Sequence, residues 1–263
     1  MGYLSELWAV FWRGLIALWR NKILLIGNLI MPFAMIFFMA PAADTSGFSF
    51  EYLATGMMCM MIFFSGMFIP NNIIWDRDSK FLNILFVSPA HRSTIILGYS
   101  LVGAVRSTIQ VSIIYLGAVG LSAAMGYEIY FSGGDFCLLI LLTILTTILV
   151  GGFMTIIASY SKNSETFFLL SGMIGLPLML MSNIFFEPTS FPIDLSGFGR
   201  FNPLNHLANT VRYLMFGDEV PGSTPIATLP AGVSPWEGPL IIILLAIVFT
   251  ILGTYVFVRT VKK

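Results

Sequence analysis

The sequence predicts an all-α membrane protein with six transmembrane helices. Of its 263 residues, 57% are hydrophobic and only 10% are charged, whereas charged residues make up about a quarter of a typical soluble domain. The apolar residues fall into six runs, each at least about as long as the roughly twenty helical residues that cross a bilayer. Its net charge of zero gives no reason to expect a nucleic-acid partner.

Residues 1–22 predict an amphipathic helix lying at the membrane interface. Trp8, Trp12 and Trp19 fall on one side, and Arg13 and Arg20 fall on another, as in helices with tryptophans at headgroup depth. A signal peptide is the alternative, because an apolar run at 23–39 precedes a small-residue motif at 40–42. Acidic Glu6 and the three tryptophans favour a retained helix.

The six predicted spans belong to one permease domain at 23–263, and lie at about 23–40, 53–74, 94–125, 136–159, 167–186 and 240–258. Pro32 and Pro177 predict kinks that neighbouring helices accommodate. The third run is too long for a perpendicular crossing, so we expect its helix to extend beyond the membrane on the side of Arg92. Six crossings place both termini on the same side.

The basic residues predict the orientation of these spans. Ten of the thirteen fall on one side: Arg13, Arg20, Lys22, Arg77, Lys80, Arg92, Lys162, Arg259, Lys262 and Lys263. Only Arg200 and Arg212 fall on the other, and Arg106 lies within a span. Because cytoplasmic loops retain lysine and arginine, we expect a multi-pass protein of the cell (plasma) membrane with both termini cytoplasmic.

One charged segment, residues 75–92, interrupts the apolar sequence as W-D-R-D-S-K-F-L-N-I-L-F-V-S-P-A-H-R. Charges interleaved with Phe81, Leu82 and Leu85 indicate a short amphipathic helix over 76–88 at the cytoplasmic membrane surface. Ser88-Pro89 ends it, because the residue before a proline disfavours the helical region. An ordinary solvated loop is the alternative.

The long segment 187–239 contains a second amphipathic pattern. Leu204, Leu207, Ala208 and Val211 recur at helical spacing before a stop at Gly217. We expect a short external helix that rests on the outer leaflet or dips partly into it. Residues 218–239 are rich in proline and glycine and predict a loop.

Motifs for enzymatic chemistry are absent from the sequence. It contains no G-x-x-x-x-G-K-[ST], H-E-x-x-H or G-x-S-x-G motif and no paired cysteines. His91 and His206 are expected on opposite sides of the membrane, and Cys59 and Cys137 suit buried apolar positions better than a disulfide. We therefore predict no catalytic residue, no metal site and no directly bound cofactor.

Polar and methionine side chains within the predicted spans are candidates for a substrate path. Arg106 and Gln110 lie one turn apart and either line a polar path or, for Arg106, extend to the headgroups. Ser182 and Asn183 either satisfy backbone groups near the Pro177 kink or face a path. The methionines of the second span suit either ordinary packing or an adaptable apolar surface.

The order of these elements resembles that of the ABC-2 type permeases. These are the membrane subunits of ATP-driven exporters, in the group that includes drug-resistance, nodulation-factor and polysaccharide export permeases. The resemblance covers nearly the whole chain. Its most specific parts are L-F-V-S-P-A-H-R with the following I-I-L-G-Y at 85–99, and N-P-L-N-H with V-R-Y-L at 202–214.

The resemblance implies roles for particular residues. A coupling helix would contact the ATP-binding subunit through Asp76, Arg77, Asp78, Lys80, Phe81, Leu82, Leu85 and Phe86, and its turn would be closed by Ser88, Pro89 and Arg92. The possible translocation path comprises Met57, Met61, Phe64, Arg106, Gln110, Met179, Ser182 and Asn183. The outer gate would include Asn202, Pro203 and Arg212.

The resemblance also implies partners. Two copies of a separate ATP-binding cassette subunit would hold the ATP and Mg, and a second permease protomer, identical or closely related, would complete a path between the second and fifth spans in contact with membrane lipids. The substrate would be an amphipathic drug, lipid or glycoconjugate. Two other classes remain open: a secondary transporter or channel driven by an ion gradient, and a membrane-embedded assembly factor.

Overall fold

The computed structural model describes residues 2–46, 50–79, 91–125, 133–185, 201–216 and 237–260. All regular secondary structure in these ranges is helical. The helices are α1 (Tyr3–Arg20), α2 (Lys22–Ser46), α3 (Phe50–Met67), α4 (Ile69–Asp78), α5 (Arg92–Met125), α6 (Gly133–Tyr160), α7 (Ser164–Leu180), α8 (Pro203–Phe216) and α9 (Glu237–Thr260). The predicted all-helical class is therefore confirmed for this part of the chain.

Only some of the described helices are long and apolar enough to span a membrane. Among the described residues, four apolar stretches do: Tyr52–Asp78, which joins α3 and α4, Arg92–Ala124, Gly134–Tyr160 and Glu237–Thr260. A fifth is reached if α1 and α2, whose axes differ by 62°, are taken together. Since α7 has only 17 residues, the count of six spans remains a prediction.

Helices α6 and α9 form the closest pair in the bundle. A Cβ added at Gly152 would lie 2.8 Å from the backbone of Phe249, and one at Gly253 would meet the carbonyl oxygen of Gly152. Glycines therefore allow the two backbones to touch, as small residues do where membrane helices pack closely. Most of α9 otherwise faces outward, with Leu240 and Leu244 exposed.

The second span is the most enclosed element. Met57, Met58 and Ile62 of α3 are almost completely buried and belong to the main hydrophobic core. At the start of α4, the side chain of Ile69 lies against Gly103 of α5 and Gly151 of α6. The span is thereby locked to two neighbouring helices.

Helix α1 packs along α5 through two glycine contacts. Val102 of α5 contacts α1 at Gly14, and Val10 of α1 contacts α5 at Gly98. The opposite side of α1 leaves its tryptophans Trp8, Trp12 and Trp19 exposed. This arrangement suits the amphipathic interfacial helix that the sequence predicts.

Helix α8 differs from the expected surface helix because it is buried within the bundle. It packs against α3, α6 and α9, and its polar residues Asn205, Asn209 and Arg212 are buried together with Leu207 and Val211. A glycine permits the close contact with α9, since a Cβ at Gly238 would lie 2.6 Å from Thr210 Oγ1. Protein, rather than the outer leaflet, surrounds most of this helix.

Candidate functional site

A hydrogen-bonded cluster joins α1, α4 and α5 at the end of the second span. The guanidinium of Arg13 donates to both carboxylate oxygens of Asp76, at 2.8 and 3.1 Å, and to the hydroxyl of Tyr99 at 3.0 Å. The Tyr99 hydroxyl in turn donates to Asp76. Bidentate arginine–carboxylate contacts are the strongest of the common charge-assisted pairs, so this cluster fixes the three helices relative to one another.

The two residues after Asp76 contact the connection between α6 and α7. Arg77 Nη2 donates to the backbone carbonyl of Ser161 at 2.7 Å, and the Ser164 hydroxyl donates to Asp78 at 3.3 Å. These bonds lie where α6 ends and α7 begins. The end of α4 is thus attached to helices on both of its sides.

The start of α5 is attached to α1 by a separate contact. Both the backbone N–H and the ring Nδ1 of His91 lie near Glu6 Oε2, at 3.0 and 3.3 Å. The hydrogen bond from the His91 backbone lowers the pKa of Glu6. The two ends of the charged segment 75–92 therefore both contact α1, through Arg13 at one end and Glu6 at the other.

The structure describes the predicted coupling residues only in part. Asp76, Arg77 and Asp78 form the last turn of α4, which continues from the second span, and Asp76 is buried against α1 and α5. Arg92 begins α5. The other predicted residues lie outside the described ranges: Lys80, Phe81, Leu82, Leu85, Phe86, Ser88 and Pro89.

Sequence reasoning missed the roles of Arg13 and Tyr99. Arg13 is 63 residues from Asp76, and Tyr99 is 23 residues from it. No local pattern relates positions so far apart. The sequence offered one signal, the run of charges at the end of the second span. Any of these charges that is buried needs an oppositely charged or hydrogen-bonding partner elsewhere in the chain.

Within the described part of the chain, Arg106 lines two cavities beside the second span. One, of about 200 Å³, is lined by Arg13, Asn21, Ser65, Phe68, Asn72, Trp75, Asp76, Tyr99 and other residues of α1, α3, α4 and α5. The second, of about 310 Å³, lies between α2, α3 and α5. Arg106 is 6% exposed, with its guanidinium 5.0 Å from the ring of Phe68.

The residues predicted for the translocation path divide into two groups in the structure. Met61, Phe64, Arg106 and Gln110 line the second cavity together. Four others do not line it: Met57 and Met179 lie in the hydrophobic core, Ser182 donates to the carbonyl of Met179, and Asn183 lies in the polar cluster around α8.

That second polar cluster is centred on Arg212, which is 2% exposed. Its Nε donates to Thr55 Oγ1 at 3.2 Å, and its other nitrogens donate to the carbonyls of Asn183 and Ile184 just after α7. The guanidinium also stacks on Tyr52 at 3.6 Å. Carbonyls beyond the end of a helix lack intrahelical partners, and Arg212 supplies the hydrogen-bond donors that these two carbonyls need.

Asparagines complete the attachment of α8 to the end of α7. Asn183 donates its side-chain N–H to Asn209 at 2.7 Å, and its backbone N–H to Asn205 at 3.0 Å. Asn202, which precedes Pro203 at the start of α8, accepts from the Leu204 backbone and donates to the carbonyl of Leu178. The residues predicted for an outer gate thus lie where α8 joins α3 and α7.

Comparison with known proteins identifies a family for this chain. A family model described as ABC-2 type transporter matches residues 5–216, which include α1 to α8 and both polar clusters. A search of curated proteins finds no match. Since the family match covers most of the chain and several helices are apolar and long enough to cross a bilayer, this protein belongs to the ABC-2 type transporter family and is a multi-pass membrane permease.

Proposed function

We propose that this chain is the translocation subunit of an exporter powered by ATP hydrolysed in a separate ATP-binding cassette subunit. It moves an amphipathic substrate out of the cell, crosses the membrane six times and holds both termini and the segment 75–92 in the cytoplasm. The working assembly contains two permease protomers and two ATP-binding subunits. Family membership supports the permease role, and the charge distribution supports the orientation.

The observation that carries this proposal is the attachment of the end of α4 to its neighbours. Asp76 is bonded to α1 and α5, while Arg77 is bonded to the end of α6. Because these contacts are short and partly buried, a displacement of the segment that follows Asp78 moves the second span together with α1 and α5. Coupling of this kind requires a contiguous set of contacts between the driven surface and the spans.

These connections support a mechanism of coupling. Closure of the ATP-binding subunits pushes on the segment 76–88, and the push reaches the second and third spans through Asp76, Tyr99 and Arg13. The spans tilt and change access to the cavities around Arg106 from one side of the membrane to the other. The free energy comes from ATP and Mg in the partner subunit, and the permease transmits it.

A double substitution in the coupling segment tests the proposal. In the complex reconstituted with its ATP-binding subunit, Phe81→Ala with Leu85→Ala removes two apolar contacts with that subunit. We expect ATP hydrolysis to continue while ATP-dependent transport falls at least about tenfold, since losing two buried apolar side chains costs several kcal/mol at an interface.

A matched pair of substitutions on the exposed face of α9 provides the control. Leu240→Ala with Leu244→Ala removes two exposed leucines of α9 and should leave transport unchanged. If transport by the Phe81/Leu85 variant equals that of the unmodified complex, the segment 76–88 does not transmit the energy of ATP.

A further inference from the structure

Arg106 carries a buried charge that no protein group neutralises in the described part of the chain. It lies 14 residues into α5, about 21 Å from the start of that helix. Its Nε has no hydrogen-bond partner, and no described carboxylate lies within ion-pair distance. Its guanidinium lies over the face of the Phe68 ring, 5.0 Å from the ring centre, and this contact does not occupy the N–H groups at the guanidinium edge.

Gln110, one turn further along α5, has a second unused donor. The Ser65 hydroxyl donates to Gln110 Oε1 at 2.7 Å, so the amide oxygen is occupied. Gln110 Nε2 has no partner. Both unsatisfied groups in this site are therefore donors, and arginine stays protonated in proteins. Such a site suits a negatively charged group that accepts hydrogen bonds, and it disfavours a cation.

The cavity beside these two residues has apolar walls. Besides Arg106 and Gln110, the second cavity is lined by Met31, Pro32, Met60, Met61, Phe64 and Phe68, with Asn28 and Ser65 as its other polar side chains. Methionine side chains adapt to irregular hydrocarbon surfaces. At about 310 Å³ the space falls at the lower end of the range for small-molecule sites.

The charges of the first cavity do not oppose an anion at Arg106. Two arginines and one aspartate line it, Arg13, Arg106 and Asp76, so the formal sum is +1. The Asp76 carboxylate already accepts from Arg13 and Tyr99. The uncompensated positive charge is that of Arg106.

We propose that Arg106 and Gln110 bind the anionic headgroup, a phosphate or a carboxylate, of an amphiphile whose hydrocarbon chain lies in the Met-rich second cavity. This inference rests on the proposed function and specifies its cargo as an anionic amphiphile. Charge-assisted hydrogen bonds hold the headgroup, and burial of the chain supplies the remaining affinity.

Binding of radiolabelled dodecyl phosphate to the full-length permease tests the site. The protein is placed in nanodiscs of zwitterionic phosphatidylcholine, and unlabelled dodecyl phosphate, dodecanoate, dodecyl maltoside and inorganic phosphate are tested as competitors. We expect saturable binding that dodecyl phosphate and dodecanoate displace, while equal concentrations of dodecyl maltoside and inorganic phosphate do not. Displacement by inorganic phosphate as effective as by dodecyl phosphate would overturn the amphiphile assignment.

Substitutions then locate the site. Arg106→Met should weaken binding of dodecyl phosphate at least about tenfold, because it removes the charge-assisted hydrogen bonds to the headgroup. Arg106→Lys and Gln110→Leu should weaken it by smaller factors. Arg20→Met, which removes an exposed charge outside both cavities, is the control and should bind as the unmodified protein does. Equal affinity in Arg106→Met, or an equal loss in Arg20→Met, contradicts the proposal.

Thermal unfolding separates binding from a structural role. Arg106→Met loses the contact of the guanidinium with Phe68 but no hydrogen bond or ion pair to a described residue. Because it also removes an uncompensated buried charge, the variant in the absence of dodecyl phosphate should unfold at the same temperature as the unmodified protein or higher. A lowered midpoint in both Arg106→Met and Arg106→Lys would show that Arg106 supports the fold and would overturn its assignment as a binding residue.

A final comparison distinguishes a transported cargo from a lipid that stays bound to the permease. It also distinguishes a failure of this inference from a failure of the proposed exporter function. In the complex with the ATP-binding subunit, dodecyl phosphate should stimulate ATP hydrolysis, and Arg106→Met should abolish the stimulation. Binding without stimulation, in a complex that still exports another amphiphile, overturns the cargo assignment and leaves the exporter function standing. Binding to a permease that forms no such complex supports the site and contradicts the exporter proposal instead.

Discussion

Two arginines are buried among the described residues, Arg106 of α5 and Arg212 of α8, and they differ in how their charge is accommodated. Arg212 donates to one hydroxyl and two backbone carbonyls, whereas Arg106 has an unused Nε. A buried polar group with partners stabilises a fold, and one without partners costs free energy. Arg212 is therefore assigned a structural role and Arg106 a ligand-binding role.

Substituting Arg212 should destabilise the protein markedly. Arg212→Met leaves the carbonyls of Asn183 and Ile184 without donors inside the bundle, and we expect a loss of about 3 kcal/mol in the free energy of unfolding. Arg212→Lys should lose less, because one ammonium reaches fewer of the acceptors. Titration with a denaturing detergent measures both. An unchanged midpoint in Arg212→Met would show that α8 does not depend on this cluster.

The Arg13–Asp76 pair should show a measurable coupling energy. We expect a double-mutant cycle with Arg13→Met and Asp76→Asn to give about 1 kcal/mol. The value is modest because the Arg13 side chain is 42% exposed, although the contact is bidentate. Unfolding midpoints of the four proteins give the cycle, and Arg20→Met is the control for a general loss of interfacial charge. Additive effects would mean that the pair does not hold α1 to α4.

At the scale of helices, close packing of α6 and α9 depends on two glycines. Gly152→Ala or Gly253→Ala forces the two backbones apart, and overpacking of this kind costs about 1–3 kcal/mol. Gly120→Ala is the matched control, because a Cβ there meets nothing within 4 Å and alanine favours a helix by about 1 kcal/mol over glycine. Comparable unfolding midpoints for Gly152→Ala and Gly120→Ala would refute the close contact.

The long apolar helices were the most predictable elements of the fold. The third span was expected at 94–125 and α5 occupies Arg92–Met125, because a continuous apolar run after Pro89 leaves few other possibilities. The fourth and sixth spans agree similarly with α6 and α9. Hydropathy determines such elements locally, without information about their neighbours.

The position of α8 was not predictable in the same way. Its apolar residues Leu204, Leu207 and Val211 suggest one buried face, but Asn209 and Arg212 are buried as well. Their partners, Asn183 and Thr55, lie 26 and 157 residues away. A helical periodicity argument treats polar residues as solvated, and it fails where distant groups satisfy their hydrogen bonds.

For the molecule as a whole, two clusters of polar contacts among the described residues form attachment regions, and the mostly apolar helices between them carry further hydrogen bonds from Ser65 to Gln110 and from Thr147 to Ser107. One joins α1, α4, α5 and the start of α7 around Asp76, and the other joins α3, α7 and α8 around Arg212. The cavities that share Arg106 adjoin the first region. In the proposed mechanism, a displacement at the end of α4 would reach the cavities through the contacts among Asp76, Arg13 and Tyr99, while the Arg212 region would hold the opposite ends of the spans.

We propose that ATP hydrolysed by a separate subunit drives this permease, and a transport assay tests this directly. The most direct measurement is transport by proteoliposomes, containing the chain with or without its ATP-binding subunit, supplied with either ATP or a proton or sodium gradient. We expect transport only when ATP and the ATP-binding subunit are both present, whether or not an ion gradient is applied. ATP-driven transport would be contradicted if the permease alone transports under an ion gradient and if ATP has no effect when the ATP-binding subunit is present.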